Sequence, residues 1–111
     1  MIAMLYILDG HLPKPEPDLE KWSEWFQTAD HRRVALDRIG TRLISTVFLG
    51  VDHNFARLSG DPGPPILFET MIFTDGSGYE DYQERYATWE QAQAGHAAAV
   101  AHVKSQLPVP Q

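Results

Sequence analysis

The 111-residue chain predicts one α+β domain over residues 1–111: an antiparallel sheet of four to five strands with two helices packed on one face. Three observations predict it. Two hydrophobic runs, residues 42–50 and 66–73, are apolar on both alternating parities, as strands are in the middle of a sheet. Two stretches, beginning near Leu19 and Trp89, space their apolar residues as helices do. These segments follow one another as strand, helix, several strands, helix, which suits an antiparallel sheet better than a parallel one.

Taken in order, residues 1–8 form a short apolar run that stops at Asp9-Gly10 and reads as a buried strand. Pro13, Pro15 and Pro17 alternate through the next segment, which favours an extended connector because each fixes φ and lacks an N–H. Asp18 is placed to cap a helix carrying Leu19, Trp22, Trp25 and Phe26 on one stripe and ending near Thr28. Residues 31–37 are a weaker strand, turning at Ile39-Gly40 into the strong run. There Leu43, Ser45, Val47 and Leu49 share one face, and Ile44, Thr46 and Phe48 the other.

In residues 66–73, Leu67, Glu69, Met71 and Phe73 oppose Ile66, Phe68, Thr70 and Ile72. Residues 74–78 are a turn by composition, and residues 83–87 a charged edge strand. Thr88 with Gln91 makes a capping-box pattern for the last helix. Its face of Trp89, Ala92, His96, Ala99, Val100 and Val103 should meet the sheet. Two helices on one face leave the other sheet face apolar and uncovered, so a homodimer through that face, or a docked partner, is expected.

Composition narrows the function classes. Hydrophobic residues at 43% and charged residues at 22% are near the globular average, which implies a folded core. With no cysteine, disulfide frameworks, thiolate metal sites and cysteine nucleophiles are all excluded. A formal net charge of -6 argues against nucleic-acid and anionic-membrane binding, and suits docking on basic surfaces. Residues 1–8 are too short for a membrane span and lack a basic leader segment, so a cytoplasmic protein is expected.

The chemistry-bearing residues are few. Asp52, His53 and Asn54 open a loop of about fifteen residues, longer than most connections in small domains. Glu69 lies in mid-strand, where a carboxylate needs a partner, a proton or a solvated edge. His53, Glu69 and His96 could converge as a polar site, holding a metal or acting as an acid–base pair, although satisfied structural groups are the simpler reading. No metal or cofactor is expected, because no metal-ligand spacing occurs. No Gly-x-Ser-x-Gly elbow surrounds Ser45 or Thr46, and the Gly/Pro-rich residues 60–65 lack the N–H groups of a phosphate cradle. His31, Arg32, Arg33, Arg38 and Arg42 form a basic cluster suited to balancing acidic neighbours.

Three segments carry a resemblance: Ser-Thr-Val-Phe-Leu-Gly at 45–50 with Asp52-His53, the Phe-Glu-Thr-Met-Ile-Phe core at 68–73, and Arg-Tyr-Ala-Thr-Trp-Glu at 85–90 with Ala92, Gly95 and His96. In these the chain resembles small uncharacterised proteins encoded by bacteriophages and prophages. Relative to them, residues 56–63 look like an insertion, and the N-terminal third finds no counterpart. The resemblance implies a phage context and transfers no activity.

In that context the expected function is protein binding by a non-enzymatic interaction protein, an inhibitor of a host defence complex of the anti-CRISPR kind. Asp52, His53, Asn54, Glu80 and Asp81 are candidate partner contacts on a host protein or complex. The alternatives are a small enzyme or a ligand- or metal-binding domain using the Asp52-His53 loop, and a phage accessory or structural protein.

Overall fold

A computed structural model describes residues 5–54, 60, 63–77 and 82–107. The elements run β1 (Tyr6–Asp9), β2 (Leu12–Pro15), α1 (Leu19–Gln27), α2 (Ala29–Arg32), β3 (Arg33–Ile39), β4 (Arg42–Phe48), β5 (Phe68–Thr74), β6 (Gln83–Tyr86) and α3 (Trp89–Ser105). The fold is α+β. Strands β3 to β6 form a four-stranded antiparallel meander in sequence order, with β4 and β5 central as their two-sided apolar pattern requires. Strands β1 and β2 form a separate hairpin. An isolated antiparallel bridge between Leu5 and Val51 joins β1 to the segment after β4.

The proline-alternating segment is therefore a paired strand and not a free connector. Glu16 donates its N–H to the Leu5 carbonyl, at 2.8 Å, so the amides facing β1 are those of even-numbered residues. Pro13 and Pro15 then occupy positions whose N–H would point away from the hairpin. They cost the ladder nothing and leave the outer edge of β2 without donors.

Phe48 and Phe68 pair across β4 and β5 and are fully buried. With Ile44, Ile72, Leu67, Ala92, Ala99 and Val103 they form the core between the sheet and α3. Burial of each large apolar side chain contributes roughly 1.5–3 kcal/mol. Thr88 caps α3 with the reciprocal box expected, its hydroxyl accepting from the Gln91 N–H at 3.1 Å. Helix α3 lies across all four strands, and α1 joins the same face at its end, where Trp25 meets Phe48 edge-on at 5.6 Å between ring centroids.

The α1 stripe divides. Trp22 donates its indole N–H to two carbonyls, Tyr6 at 3.0 Å and Gly50 at 3.1 Å, and so ties the hairpin to the end of β4. Gly50 has φ of 76°, and a Cβ there would lie 2.9 Å from the Phe26 ring, so the close approach of α1 requires glycine. Leu19, expected in the stripe, is 63% exposed and stays outside it. The hairpin turn is fastened separately: the His11 ring stacks on Trp89 with centroids 3.9 Å apart and planes 5° from parallel.

Gly95 lies inside α3, where glycine ordinarily weakens a helix. Here it lets the Tyr86 ring sit against the helix backbone, and a Cβ would overlap that ring. Gly95→Ala is expected to lower stability by about 1–3 kcal/mol in urea unfolding, despite the better helix propensity of alanine. In a Tyr86→Ala background the same substitution should be neutral or stabilising.

Candidate functional site

The polar centre of the molecule lies between α3 and the sheet. His96 is 6% exposed and joins three strands. Its Nε2 lies 2.7 Å from Asp37 Oδ2 on β3, and its Nδ1 lies 2.7 Å from Thr46 Oγ1 on β4. Thr46 Oγ1 in turn lies 2.6 Å from Thr70 Oγ1 on β5. A carboxylate only accepts, so Nε2 donates. In the neutral ring Nδ1 is then the acceptor, the Thr46 hydroxyl donates to it, and the Thr70 hydroxyl donates to Thr46. Each buried hydroxyl thus has a partner, and the chain has one direction.

Register makes this arrangement. Thr46 pairs directly with Thr70, and Ala35, opposite Thr46, is two residues from Asp37 on the same face. The composition suggests acid–base chemistry, but Thr46 and Thr70 have no exposed surface. A hydroxyl nucleophile must reach substrate, and these are sealed beneath α3. Only the Asp37 end, with its side chain 56% exposed, opens to solvent. The geometry holds the helix in register on the strands.

Beside this chain the Tyr86 hydroxyl is buried near Thr70 without closing a hydrogen bond of ordinary geometry. Burial raises the Tyr86 pKa and the Glu84 carboxylate adds to the effect, while Thr70 opposes them. Tyr82 is also raised, by burial first and then by Tyr86 and Glu84.

The sequence-designated residues lie apart from this centre. Asp52 Oδ1 accepts from the Asn54 N–H at 2.8 Å and the Ile66 N–H at 2.9 Å. His53 donates its backbone N–H to the Ile66 carbonyl at 2.8 Å and its Nδ1–H to the Val51 carbonyl at 2.7 Å. Asn54 Nδ2 donates to the Pro64 carbonyl at 3.0 Å. These three residues clamp the two ends of the long loop together.

Glu69 is paired, as a buried carboxylate must be: its Oε2 accepts from Arg85 Nε at 2.8 Å and Gln83 Nε2 at 2.7 Å. It lies on the sheet face opposite His96, so Glu69 and His96 do not meet. Among the described residues no group of three His, Asp or Glu side chains is disposed to hold a metal. Glu80 and Asp81 lie outside the described residues.

Sequence reasoning missed Asp37 and the joining of Thr46 to Thr70. For the threonines the signal was present as one polar residue on the inward parity of each central strand, together with a histidine in the buried stripe of α3; Asp37 carried none. The basic cluster is spent locally: Arg33 on Asp30 at 3.2 Å, Arg38 on Asp75 at 3.0 Å, and Arg42 on the Gln106 side chain at 2.8 Å.

The face of the sheet away from α3 carries Leu36, Leu43, Val47, Met71 and Phe73. Leu36 is 45% exposed and Phe73 37%, and the other three are half-buried. Arg33, Arg38 and the Glu69–Arg85 pair frame this patch. Among the described residues no helix lies over it, and no helix is long and apolar enough to cross a membrane. Comparison with protein-family models, curated proteins and solved structures finds no match.

Two measurements check this reading of the buried centre. His96→Ala strands Thr46 and leaves a void, so it should cost about 2–4 kcal/mol in denaturant unfolding. The second is alkaline titration. A tyrosine whose folded pKa is raised keeps its proton after the unfolded chain has lost it. Stability present below the ordinary tyrosine pKa of about 10 should therefore fall as pH rises through that value toward the folded one. Tyr86→Phe should reduce that alkaline loss, followed by circular dichroism.

Proposed function

We propose that this is a small interaction protein of phage origin that acts by docking its open sheet face on a host protein complex, as an inhibitor of a defence system of the anti-CRISPR kind. One observation carries the reading: an apolar patch rimmed by charged side chains, on a sheet whose other face already holds the whole core. A protein of this size gains nothing in stability from an uncovered Leu36, Phe73 and Met71. A partner that covers them gains the transfer energy of the patch.

The resemblance to phage and prophage proteins supplies the context. The acidic balance of the chain favours approach to a basic partner, including a groove that otherwise holds nucleic acid. The small-enzyme alternative has less support, because Asp52, His53 and Asn54 are engaged in closing their own loop and the buried hydroxyls are sealed.

The test is phage plating on bacteria that carry an active CRISPR system and express this protein. Plating efficiency should rise by orders of magnitude. Phe73→Asp with Met71→Lys should abolish both that rise and stoichiometric co-purification of the defence complex, with the melting temperature little changed. The reading fails if the double variant protects phage as well as the natural chain does. It fails equally if His53→Ala removes protection while folding and co-purification persist.

A further inference from the structure

The outer edge of β3 differs from the other sheet edges. Ile39 and Arg42 flank the two-residue Gly40-Thr41 turn and so exchange ladder hydrogen bonds, as do Asp37 with Ile44 and Ala35 with Thr46. The alternation is corroborated on the far side of β4, where Thr41 and Leu49 bond toward β5. Leu36 and Arg38 therefore send their N–H and C=O groups outward. By contrast, β2 has prolines at its outward positions, and β6 is four residues long. Strand β3 has seven residues and no proline.

Charged side chains normally guard such an edge. Here the charges are drawn aside: Arg33 by Asp30, Arg38 by Asp75, and Asp37 by His96 toward the α3 face. Leu36 remains, 45% exposed at mid-strand.

We infer that β3 pairs antiparallel with β3 of a second copy, with Leu36 on the two-fold axis, to give a continuous eight-stranded sheet. This register is self-complementary. Leu36 meets the partner's Leu36 on the open face, Asp37 stands opposite the partner's Ala35, and the register shift between Arg33 and Ala35 ends the regular ladder before Arg33. No like charges face each other across the axis. Moving the axis one residue toward Asp37 would set Asp37 opposite Asp37, and moving it one residue toward Ala35 would take Leu36 off the axis. The Leu36 pair exchanges two backbone hydrogen bonds, one donated by each copy. The inference stands independently of what covers the open face.

Sedimentation of the full chain tests it. A reversible dimer is expected at tens of micromolar. Leu36→Pro removes only outward amides, as Pro13 and Pro15 do, and should weaken the dimer about 30-fold, the effect of two hydrogen bonds of ordinary net strength. The chain has no cysteine, so Leu36→Cys supplies its only thiol. Hydrogen-bonded strand pairs hold Cα atoms about 5.5 Å apart, within disulfide reach, so mild oxidation should link two copies of that variant, while Gln93→Cys on the exposed side of α3 should not link. A chain that stays monomeric at those concentrations overturns the inference. So does a dimer that tolerates Leu36→Pro but is lost with Phe73→Asp. If Leu36→Pro unfolds the chain, failure of Leu36→Cys to cross-link decides against it.

Discussion

Everything in this fold is arranged around one hydrogen-bond chain, Asp37 to His96 to Thr46 to Thr70. It touches three strands and the long helix, and two of its members have no exposed surface. Apolar packing alone would let α3 slide along the sheet, because Ala92, Ala99 and Val103 are small and similar. A histidine with two fixed partners allows one placement. Shifting the helix by a residue would leave hydroxyls unpaired in the core, at a cost exceeding most single contacts. Specificity of packing is the clearest role for polar groups buried this deeply.

That use of the interior decides what is left for the exterior. With the core, the polar chain and both principal helices on one side, the opposite side of the sheet is held by neighbouring strands alone. Its apolar residues are set by the period-two geometry of the strands: β4 and β5 are hydrophobic on both parities, and covering one side cannot hide the other. Glu69 survives there because Arg85 and Gln83, cross-strand neighbours from β6, meet its carboxylate. The result is an apolar field with a polar corner, a composition shared with many recognition surfaces.

Much of this was legible in the residues. The central position of β4 and β5 follows from their two-sided pattern, and the start of α3 from Thr88 and Gln91, because both signals are local. The hairpin of β1 and β2 was not legible. Prolines at alternate positions read as an extended linker, and only the parity of Glu16 shows that their missing amides face outward. The polar chain was half legible. Thr46 and Thr70 lay on the inward parity and His96 in the buried stripe, but joining them needs strand register, which periodicity leaves open. Asp37 gave no signal at all, since a charged residue on a weak strand looks like any solvated position. The pairing of His53 with Glu69 and His96 failed for the same reason: nearness in chemistry is not nearness on one face.

The prolines of β2 have a further consequence. Sheet proteins with two adhesive borders can add subunit after subunit without end and grow into fibres. In this molecule one border is sealed by residues that cannot donate, and another is cut to four residues bearing Glu84 and Arg85. Two-fold pairing through β3 would consume that border in both partners at once and leave the short β6 at each end of the joined sheet, so self-association would stop at a finite particle, while the prolines of β2 keep the separate hairpin from offering donors on its outer side.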